Sequence, residues 1–250
     1  MRRRVILLLL VAGLALAAAT GRARAQALVA DLTSHLVAIT TGFTGTELVL
    51  FGATDGPGAI IVMVRGPERD AVVRRKSRVA GIWMNTREVT FTGIPGYYAV
   101  YSSRPLEEVA PPSMLALNQI GLANLRLGTS DQKRPPEEIA LFRSAVIREQ
   151  QRRGLFSAAV GHVNFLGERL FRTTIAIPAD VPTGNYEIHI LLVRDKVVVS
   201  GQTSNFVVEE EGVAGDVHDF AERRALLYGM IAVLGAAIAG WLASLPFRNA

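Results

Sequence analysis

The chain of 250 residues contains no cysteine. Disulfide bonds, thiol catalysis and cysteine-ligated metals are therefore excluded, so the fold must be stabilised by its core alone. Closely spaced histidines are also absent, because the histidines are scattered without a His-x-x-x-His pair; they are His35, His162, His189 and His218. These residues give no reason to predict a metal site.

Sequence motifs of common enzymes are missing as well. The chain has no Gly-x-Ser-x-Gly nucleophile motif, no glycine-rich phosphate loop and no dinucleotide-binding fingerprint. His189 alternates with Ile188 and Ile190, which is typical of a strand residue in or beside a core. We expect a protein without a cofactor and without enzymatic activity, although residues distant in sequence can still converge in space.

Acidic residues are absent before Asp31, and Met1 is followed by three arginines. An apolar run from Val5 to Ala19 comes next, and Ala23-Arg24-Ala25 then offers a small-x-small cleavage site. This order is typical of a secretory signal peptide, and the apolar run is shorter than the roughly 20 residues that cross a bilayer. We predict that residues 1–25 are a cleaved signal peptide and that the body is exported.

The net charge vanishes once the signal peptide is removed. The full chain has 27 basic and 22 acidic residues, and five of the basic ones lie within residues 1–25. The mature chain therefore carries 22 residues of each sign. A neutral body has no general attraction for polyanions, so no nucleic-acid partner is expected.

Short apolar runs separated by turn residues fill residues 26–105 and return over residues 155–209. Such runs at this spacing are typical of antiparallel sandwiches. Residues 106–154 between them carry helical signals instead. The sequence predicts a mainly β protein with a helical insert, built as one or two immunoglobulin-like antiparallel sandwiches. The predicted strands include Ala71–Lys76, Arg78–Met84 and Glu88–Thr92.

Two helices are predicted within the insert. The first covers Met114–Leu127, and the second begins at Pro135-Pro136 and ends at Gly154, as helix start and stop signals favour. Apolar residues of the second helix share one face, which predicts packing on a sheet; they are Ile139, Phe142, Ala145 and Val146.

A proline-bounded turn from Pro178 to Gly184 leads into a strand that opens on Tyr186. The pattern is similar to the E–F corner of immunoglobulin-like sandwiches, where a tyrosine hydroxyl bonds to upstream backbone. The alternative is a plain surface turn followed by a core-facing tyrosine. Both interpretations give Tyr186 a structural role.

The C-terminal sequence predicts a membrane anchor. Residues 210–224 form an acidic juxtamembrane linker, residues 225–245 contain no charged side chain, and residues 246–250 are a short tail. The uncharged stretch is long enough to span a bilayer. We predict a single-pass protein of the inner membrane, with lipid as the partner of residues 225–245, the body in the periplasm and the C-terminus in the cytoplasm.

Small residues within this span are spaced for close helix packing. Gly235 is followed by Ala239 and Ala236 by Gly240, which gives two small-xxx-small pairs. These residues are candidates for contact with another helix.

The most unusual segment is the basic stretch from Arg65 to Arg87, which has seven basic and two acidic residues. One interpretation is a hairpin that offers a cationic patch to an anion, such as a lipid headgroup, a sulfonate or the acidic surface of a partner. The other is a solvated edge strand whose charges discourage aggregation. Neighbouring strand residues face opposite ways, which weakens a single convergent pocket. The candidate ligand contacts are Arg74, Arg75, Lys76, Arg78 and Trp83.

Three segments together carry a family resemblance: Val37-Ala38-Ile39-Thr40 to Phe51-Gly52, Arg74-Arg75-Lys76 to Trp83-Met84-Asn85, and Leu170-Phe171-Arg172 to Pro182-Thr183-Gly184-Asn185-Tyr186. They resemble a family of transmembrane proteins of alphaproteobacteria. The resemblance implies the layout of signal peptide, β-rich body and single anchor, and it carries over no functional residues.

These observations favour a non-enzymatic, membrane-anchored periplasmic module that serves as an interaction or accessory subunit of an envelope or transport complex. Its expected partner is another envelope or membrane protein. The alternative is a periplasmic protein that binds a small anion of the sulfite or sulfonate type.

Overall fold

The computed structural model describes residues 27–79, 81–131, 134–211, 221 and 224–244. The predicted signal peptide, most of the predicted linker and the predicted tail lie outside these residues.

Strands dominate the described part of the chain. In chain order they are β1 Leu28–Leu32, β2 Leu36–Ile39, β3 Gly45–Thr54, β4 Ala59–Arg65, β5 Glu68–Val79, β6 Ile82–Pro95, β7 Tyr98–Ser102, β8 Gly128–Thr129, β9 Gly161–His162, β10 Asn164–Leu166, β11 Leu170–Pro178, β12 Gly184–Arg194 and β13 Val197–Glu210. The helices are α1 Leu106–Val109, α2 Pro112–Leu117, α3 Pro136–Arg152 and α4 Ala225–Ser244. The predicted mainly β class is confirmed.

The strands form three sheets. The first sheet has the order β1-β3-β11-β10 and the third has the order β5-β6-β8, and both are antiparallel. The second sheet has the order β2-β13-β12-β4-β7-β9, with parallel pairs only at its two edges, β2 with β13 and β7 with β9.

The first and second sheets pack face to face around the main core. Alternation determines which side chains enter it: in β11, Phe171, Ile175 and Ile177 are buried while their neighbours are exposed. β3 pairs with β11, and β4 pairs with β12. Strands from both β regions of the sequence therefore share one sandwich.

β4 is buried on both of its faces. Ile60, Val62 and Val64 face the sandwich core, whereas Ile61 and Met63 belong to a second core on the outer side of the sheet. This outer core is covered by α3 and by the base of the third sheet. A central strand between two apolar layers needs a continuous apolar sequence rather than an alternating one.

The turn before β12 contains the predicted tyrosine contact. Tyr186 is fully buried, and its hydroxyl donates a hydrogen bond to the carbonyl oxygen of Pro182 at 2.5 Å. Its ring stacks on Phe206, with the ring centroids 4.8 Å apart. Burial raises the pKa of the Tyr186 hydroxyl well above its ordinary value, so the group remains a donor.

Two predicted elements are wrong. The helix predicted over Met114–Leu127 ends at Leu117, because Gln119 and Gly121 adopt left-handed φ values of 54° and 89°. The strand predicted over Arg78–Met84 is interrupted by a turn at Gly81, whose φ is 86°. The second predicted helix is confirmed as α3, with Phe142 and Val146 buried on its inner face.

α4 occupies most of the predicted membrane span. Within the described part of the chain, no helix combines the length and the apolarity required to cross a membrane.

Candidate functional site

The candidate site is the hairpin of β5 and β6, called here the arm. Its base belongs to the body, because Val89, Phe91 and Ile94 are buried in the outer core. Its outer half, residues 74–87, is exposed along almost its whole length on both strands. The arm therefore reaches out from the sandwich as a two-stranded ribbon.

Strand register determines which arm side chains share a face. Arg74 lies opposite Glu88, and Arg78 lies opposite Trp83. The register shifts between Arg75 and Lys76, where β6 carries the additional residue Thr86. The hydroxyl of Ser77 lies 2.7 Å from that of Thr86 and fixes this bulge.

The structure distributes the predicted ligand contacts over both faces of the arm. Alternation places Arg74, Lys76 and Arg78 on the face that carries Trp83, and it places Arg75 on the opposite face. Arg74 is also engaged, because its Nε lies 3.1 Å from the Glu88 carboxylate. A small anion could therefore contact only some of the five predicted residues at the same time.

The opposite face of the arm contains a pair of like charges. Arg75 and Arg87 lie directly across from each other, an arrangement that destabilises a ladder unless the charges are compensated. Arg87 is compensated by Glu138 of α3, with Nη1 and Oε1 2.8 Å apart. The Arg87 and Arg134 guanidinium groups beside it hold the pKa of the Glu138 carboxyl below its ordinary value.

Apolar side chains cluster at the tip of the arm. Trp83 and Ile82 are 68% and 67% exposed, and Val79 and Met84 are about half exposed. Val79 faces Ile82 across the turn, and the Arg78 Nε donates to the Gly81 carbonyl oxygen at 3.1 Å. Four exposed apolar side chains at one turn form a patch rather than isolated exposed residues, which makes the tip a candidate interaction site.

A cavity of about 280 Å³ lies at the base of the arm. Arg65 and Arg126 line it together with Glu68 and Glu187. The Arg65 Nη2 donates to Gln119 Oε1 at 3.1 Å, whereas its buried Nε has no partner among the described residues. Sequence reasoning missed this cavity.

Tyr98 stabilises the backbone at Gln119, one of the residues that line the cavity. Its buried hydroxyl donates to the Gln119 carbonyl oxygen at 2.8 Å and accepts from the Gly121 amide at 2.8 Å. Burial raises the pKa of Tyr98 to about 12, so the hydroxyl remains a donor at neutral pH. These bonds hold Gln119 in its left-handed conformation.

The predicted helix-packing residues Gly235, Ala236, Ala239 and Gly240 all lie in α4. A Cβ atom added at Gly235 or Gly240 would meet no atom within 4 Å. Among the described residues, no group of three or more His, Asp or Glu side chains is arranged to hold a metal ion.

The family model described as "Putative transmembrane protein (Alph_Pro_TM)" matches residues 27–249. The match covers nearly the whole chain, so the chain belongs to this family of membrane proteins, and the resemblance seen in the sequence is confirmed. A search of the curated proteins finds no match.

Proposed function

We propose that this member of the Alph_Pro_TM family is a non-enzymatic, membrane-anchored accessory or interaction subunit of an envelope or transport complex. The observation that carries the proposal is the arm. Strands of 12 and 14 residues leave the body, and their outer half is exposed on both faces. Among the described residues, none of residues 74–87 belongs to either core, which favours a role of this ribbon in contact with another molecule.

The proposed anchor is the uncharged segment 225–245. The proposal rests on its sequence and on the surface of α4, whose large apolar side chains are exposed; they are Leu226, Leu227, Tyr228, Met230, Ile231, Val233, Leu234, Ile238 and Trp241. The uncharged sequence 225–245 would be about 30 Å long as a helix, which is the thickness of the hydrocarbon core of a bilayer. Lipid is the medium that suits an apolar surface on all sides.

The proposed orientation follows from the predicted signal peptide. Export of the body places it in the periplasm, so the helix stops transfer in the inner membrane and the C-terminus stays in the cytoplasm. We also propose that the sandwich is immunoglobulin-like, and the Tyr186–Pro182 hydrogen bond supports this interpretation.

Carbonate extraction of membranes that contain the full chain tests the anchor. We expect the chain to stay in the pellet and Leu234→Arg to release it, because arginine near the middle of a span costs about 3 kcal/mol. Leu226→Arg at the end of the span is the matched control and should remain in the pellet. Release of the unsubstituted chain by carbonate would contradict the anchor.

Crosslinking in intact cells, followed by purification in mild detergent, tests the accessory role. We expect defined crosslinked species that contain a second envelope or membrane protein. Recovery of the monomer alone, from crosslinkers of several lengths, would count against a role as a subunit.

A second candidate function is the binding of a small molecule in the cavity at the base of the arm. The Arg65 Nε favours it, because this buried NH has no acceptor in the part of the chain that the structure describes, which is unusual for a guanidinium group. Two arginines and two glutamates line the cavity. A zwitterionic ligand, which carries both a positive and a negative group, therefore suits it better than a ligand with a negative group alone.

Calorimetric titration of the full chain in detergent with an aminosulfonate, an amino acid and sulfite tests this candidate. Binding should depend on the positive charge of the cavity, so Arg65→Met should abolish it. Arg169→Met removes an exposed arginine elsewhere and is the control. No heat from any of the three compounds would exclude the candidate for these ligand classes.

A further inference from the structure

The tip of the arm carries apolar side chains on both of its faces. Trp83 shares a face with Arg78, while Val79, Ile82 and Met84 lie on the opposite face. A flat protein surface could cover only one of these faces. An apolar medium that surrounds the tip would cover both, and the boundary of a lipid bilayer is such a medium.

Basic residues form a collar behind the tip. From Arg74 to Arg87 the sequence has five basic residues and no acidic one. Within the described residues, Arg75 and Lys76 have no carboxylate partner, and Arg78 contacts only a carbonyl oxygen. Unpaired cations beside an apolar tip complement the phosphates of anionic lipids.

The spacing of collar and tip matches the layers of a bilayer surface. Arg75 and Val79 are four residues apart, which is about 13 Å along a strand. An apolar element at the interface lies about 5–10 Å deep, at the boundary between headgroups and acyl chains. With the tip at that depth, the collar lies among the headgroups.

The arm begins at the end of the second sheet at which β13 ends. β4 ends at Arg65, which lies opposite Glu187, and Gly184 lies opposite Val208 shortly before β13 ends. A Cβ atom at Gly184 would lie 3.1 Å from Pro67, at the start of the arm. The base of the arm therefore lies beside the strand that leads toward the anchor.

Chain length allows the tip and the anchor to meet the same membrane. The exposed strand Arg74–Val79 is about 20 Å long at roughly 3.3 Å per residue. The fourteen residues 211–224 between β13 and α4 can span up to about 46 Å when extended. The connection therefore leaves room for the arm between the body and the bilayer.

We infer that the tip of the arm inserts into the surface of an anionic bilayer, with Trp83 at the headgroup boundary and Arg75, Lys76 and Arg78 on lipid phosphates. This inference rests on the proposed membrane anchor, since the anchor holds the arm at the bilayer. The partner is a lipid surface, and the contact gives the body a second attachment that fixes its tilt.

Fluorescence quenching of the full chain in nanodiscs tests the inference. The chain has two tryptophans, so Trp241→Phe leaves Trp83 as the sole tryptophan, whose emission is selected by excitation beyond the tyrosine absorption. In nanodiscs of anionic lipid with brominated acyl chains, we expect about a twofold or larger loss of Trp83 fluorescence and a blue-shifted emission. Zwitterionic nanodiscs, or reversal of Arg75, Lys76 and Arg78 to glutamate, should restore the intensity.

The matched control places a tryptophan at the other end of the sandwich. Val197 is 63% exposed beside the turn that joins β12 and β13, at the opposite end of the second sheet from Arg65. Val197→Trp, combined with Trp83→Phe and Trp241→Phe, should show no quenching by the same lipids.

Three results distinguish the possible failures. Unquenched Trp83 in a chain that resists carbonate extraction would overturn the lipid contact and leave the anchor intact. A photocrosslinker at position 83 that captures a protein, together with unquenched Trp83, would overturn it in favour of a protein partner. Release of the chain by carbonate would contradict the anchor itself, and with it the premise of this inference.

Discussion

The Nη1 atom of Arg87 lies 2.8 Å from Oε1 of Glu138, so an ion pair joins the exposed half of the arm to the first turn of α3. Arg134 reaches the same Glu138 oxygen at 3.3 Å. The Glu138 side chain is only 15% exposed, which makes this contact better shielded than the other ion pairs of the arm. Glu138 therefore links the outer half of the arm to α3.

Glu138→Gln is expected to release the arm from α3. The substitution removes the negative charge that compensates Arg87 and leaves Arg75 and Arg87 opposed across the ladder. Because the chain has no cysteine, Asn85→Cys and Arg148→Cys provide unique spin-label sites on the arm and on α3. The distance distribution between the two labels should broaden. Glu137→Gln, one residue away, is the control, and equal distributions in the two variants would refute the role of Glu138.

Acidification should release the arm in the same way. The Glu138 pKa is lowered from 4.5 in the folded chain by Arg87 and Arg134. A lowered carboxyl pKa contributes stability that is complete above the unfolded value and is lost as the pH falls through the folded value. The label distances should therefore be constant from neutral pH down to about 5 and should broaden below the ordinary glutamate range. Glu138→Gln should abolish this acid transition, and a transition that persists in the variant would assign it to another group.

Tyr186→Phe isolates the hydrogen bond to Pro182 from the packing of the ring. The phenyl ring keeps its stacking on Phe206, while the Pro182 carbonyl loses its donor. The free energy of unfolding should fall by about 1 kcal/mol, the net worth of a typical buried hydrogen bond. Chemical denaturation of the full chain in detergent measures the change. Tyr186→Ala, which also leaves a cavity, should cost about 3–5 kcal/mol; equal costs would mean that the ring contributes nothing.

Gly52 in β3 permits a close approach of Phe171 in β11, so that the two β regions of the sequence can pack together. A Cβ atom there would lie 2.5 Å from the Phe171 ring and 2.6 Å from the Val29 carbonyl oxygen. Gly52→Ala should lower the free energy of unfolding by about 1–3 kcal/mol, because the backbone oxygen cannot move aside. Gly42→Ala, where no atom lies within 4 Å, should be neutral or stabilising. Similar effects of the two substitutions would contradict this account of the β3–β11 pair.

Local sequence patterns predicted the elements that have one buried face. β11 and β12 alternate between core and surface, and α3 has proline at its start and Gly154 after its end. Tyr186 could be assigned because the turn before it has a recognisable composition. In each of these elements, the sequence periodicity reflects contact with a single core.

The length of the arm's two strands and the cavity could not be predicted in the same way. The outer arm is exposed on both faces, so its sequence has no alternation to mark two long strands, and its turn at Gly81 falls inside an apolar run. The cavity joins Arg65 to Gln119 and Arg126, which are more than fifty residues away in the chain. It depends on the left-handed conformation of Gln119, which the structure imposes through Tyr98.

Arg143 links α3 to the loop of residues 120–127, which includes Leu125 and Arg126 of the cavity lining. Its Nη2 donates to the carbonyl oxygens of Leu122, Ala123 and Leu125, the last at 2.6 Å. Arg143→Met keeps the apolar stem and removes all three bonds, so we expect a loss of about 1–3 kcal/mol in the free energy of unfolding.

Hydrogen exchange resolves where the stability of the Arg143 variant is lost. Residues 120–127 should exchange faster, because their carbonyl acceptors no longer hold the loop against α3. Arg148→Met is the matched control on the exposed side of the same helix, and it should leave exchange unchanged. Leu125 and Arg126 line the cavity, so the Arg143 variant should also weaken any ligand bound there. Exchange in residues 120–127 equal to that of the control would show that the loop is held by its own packing.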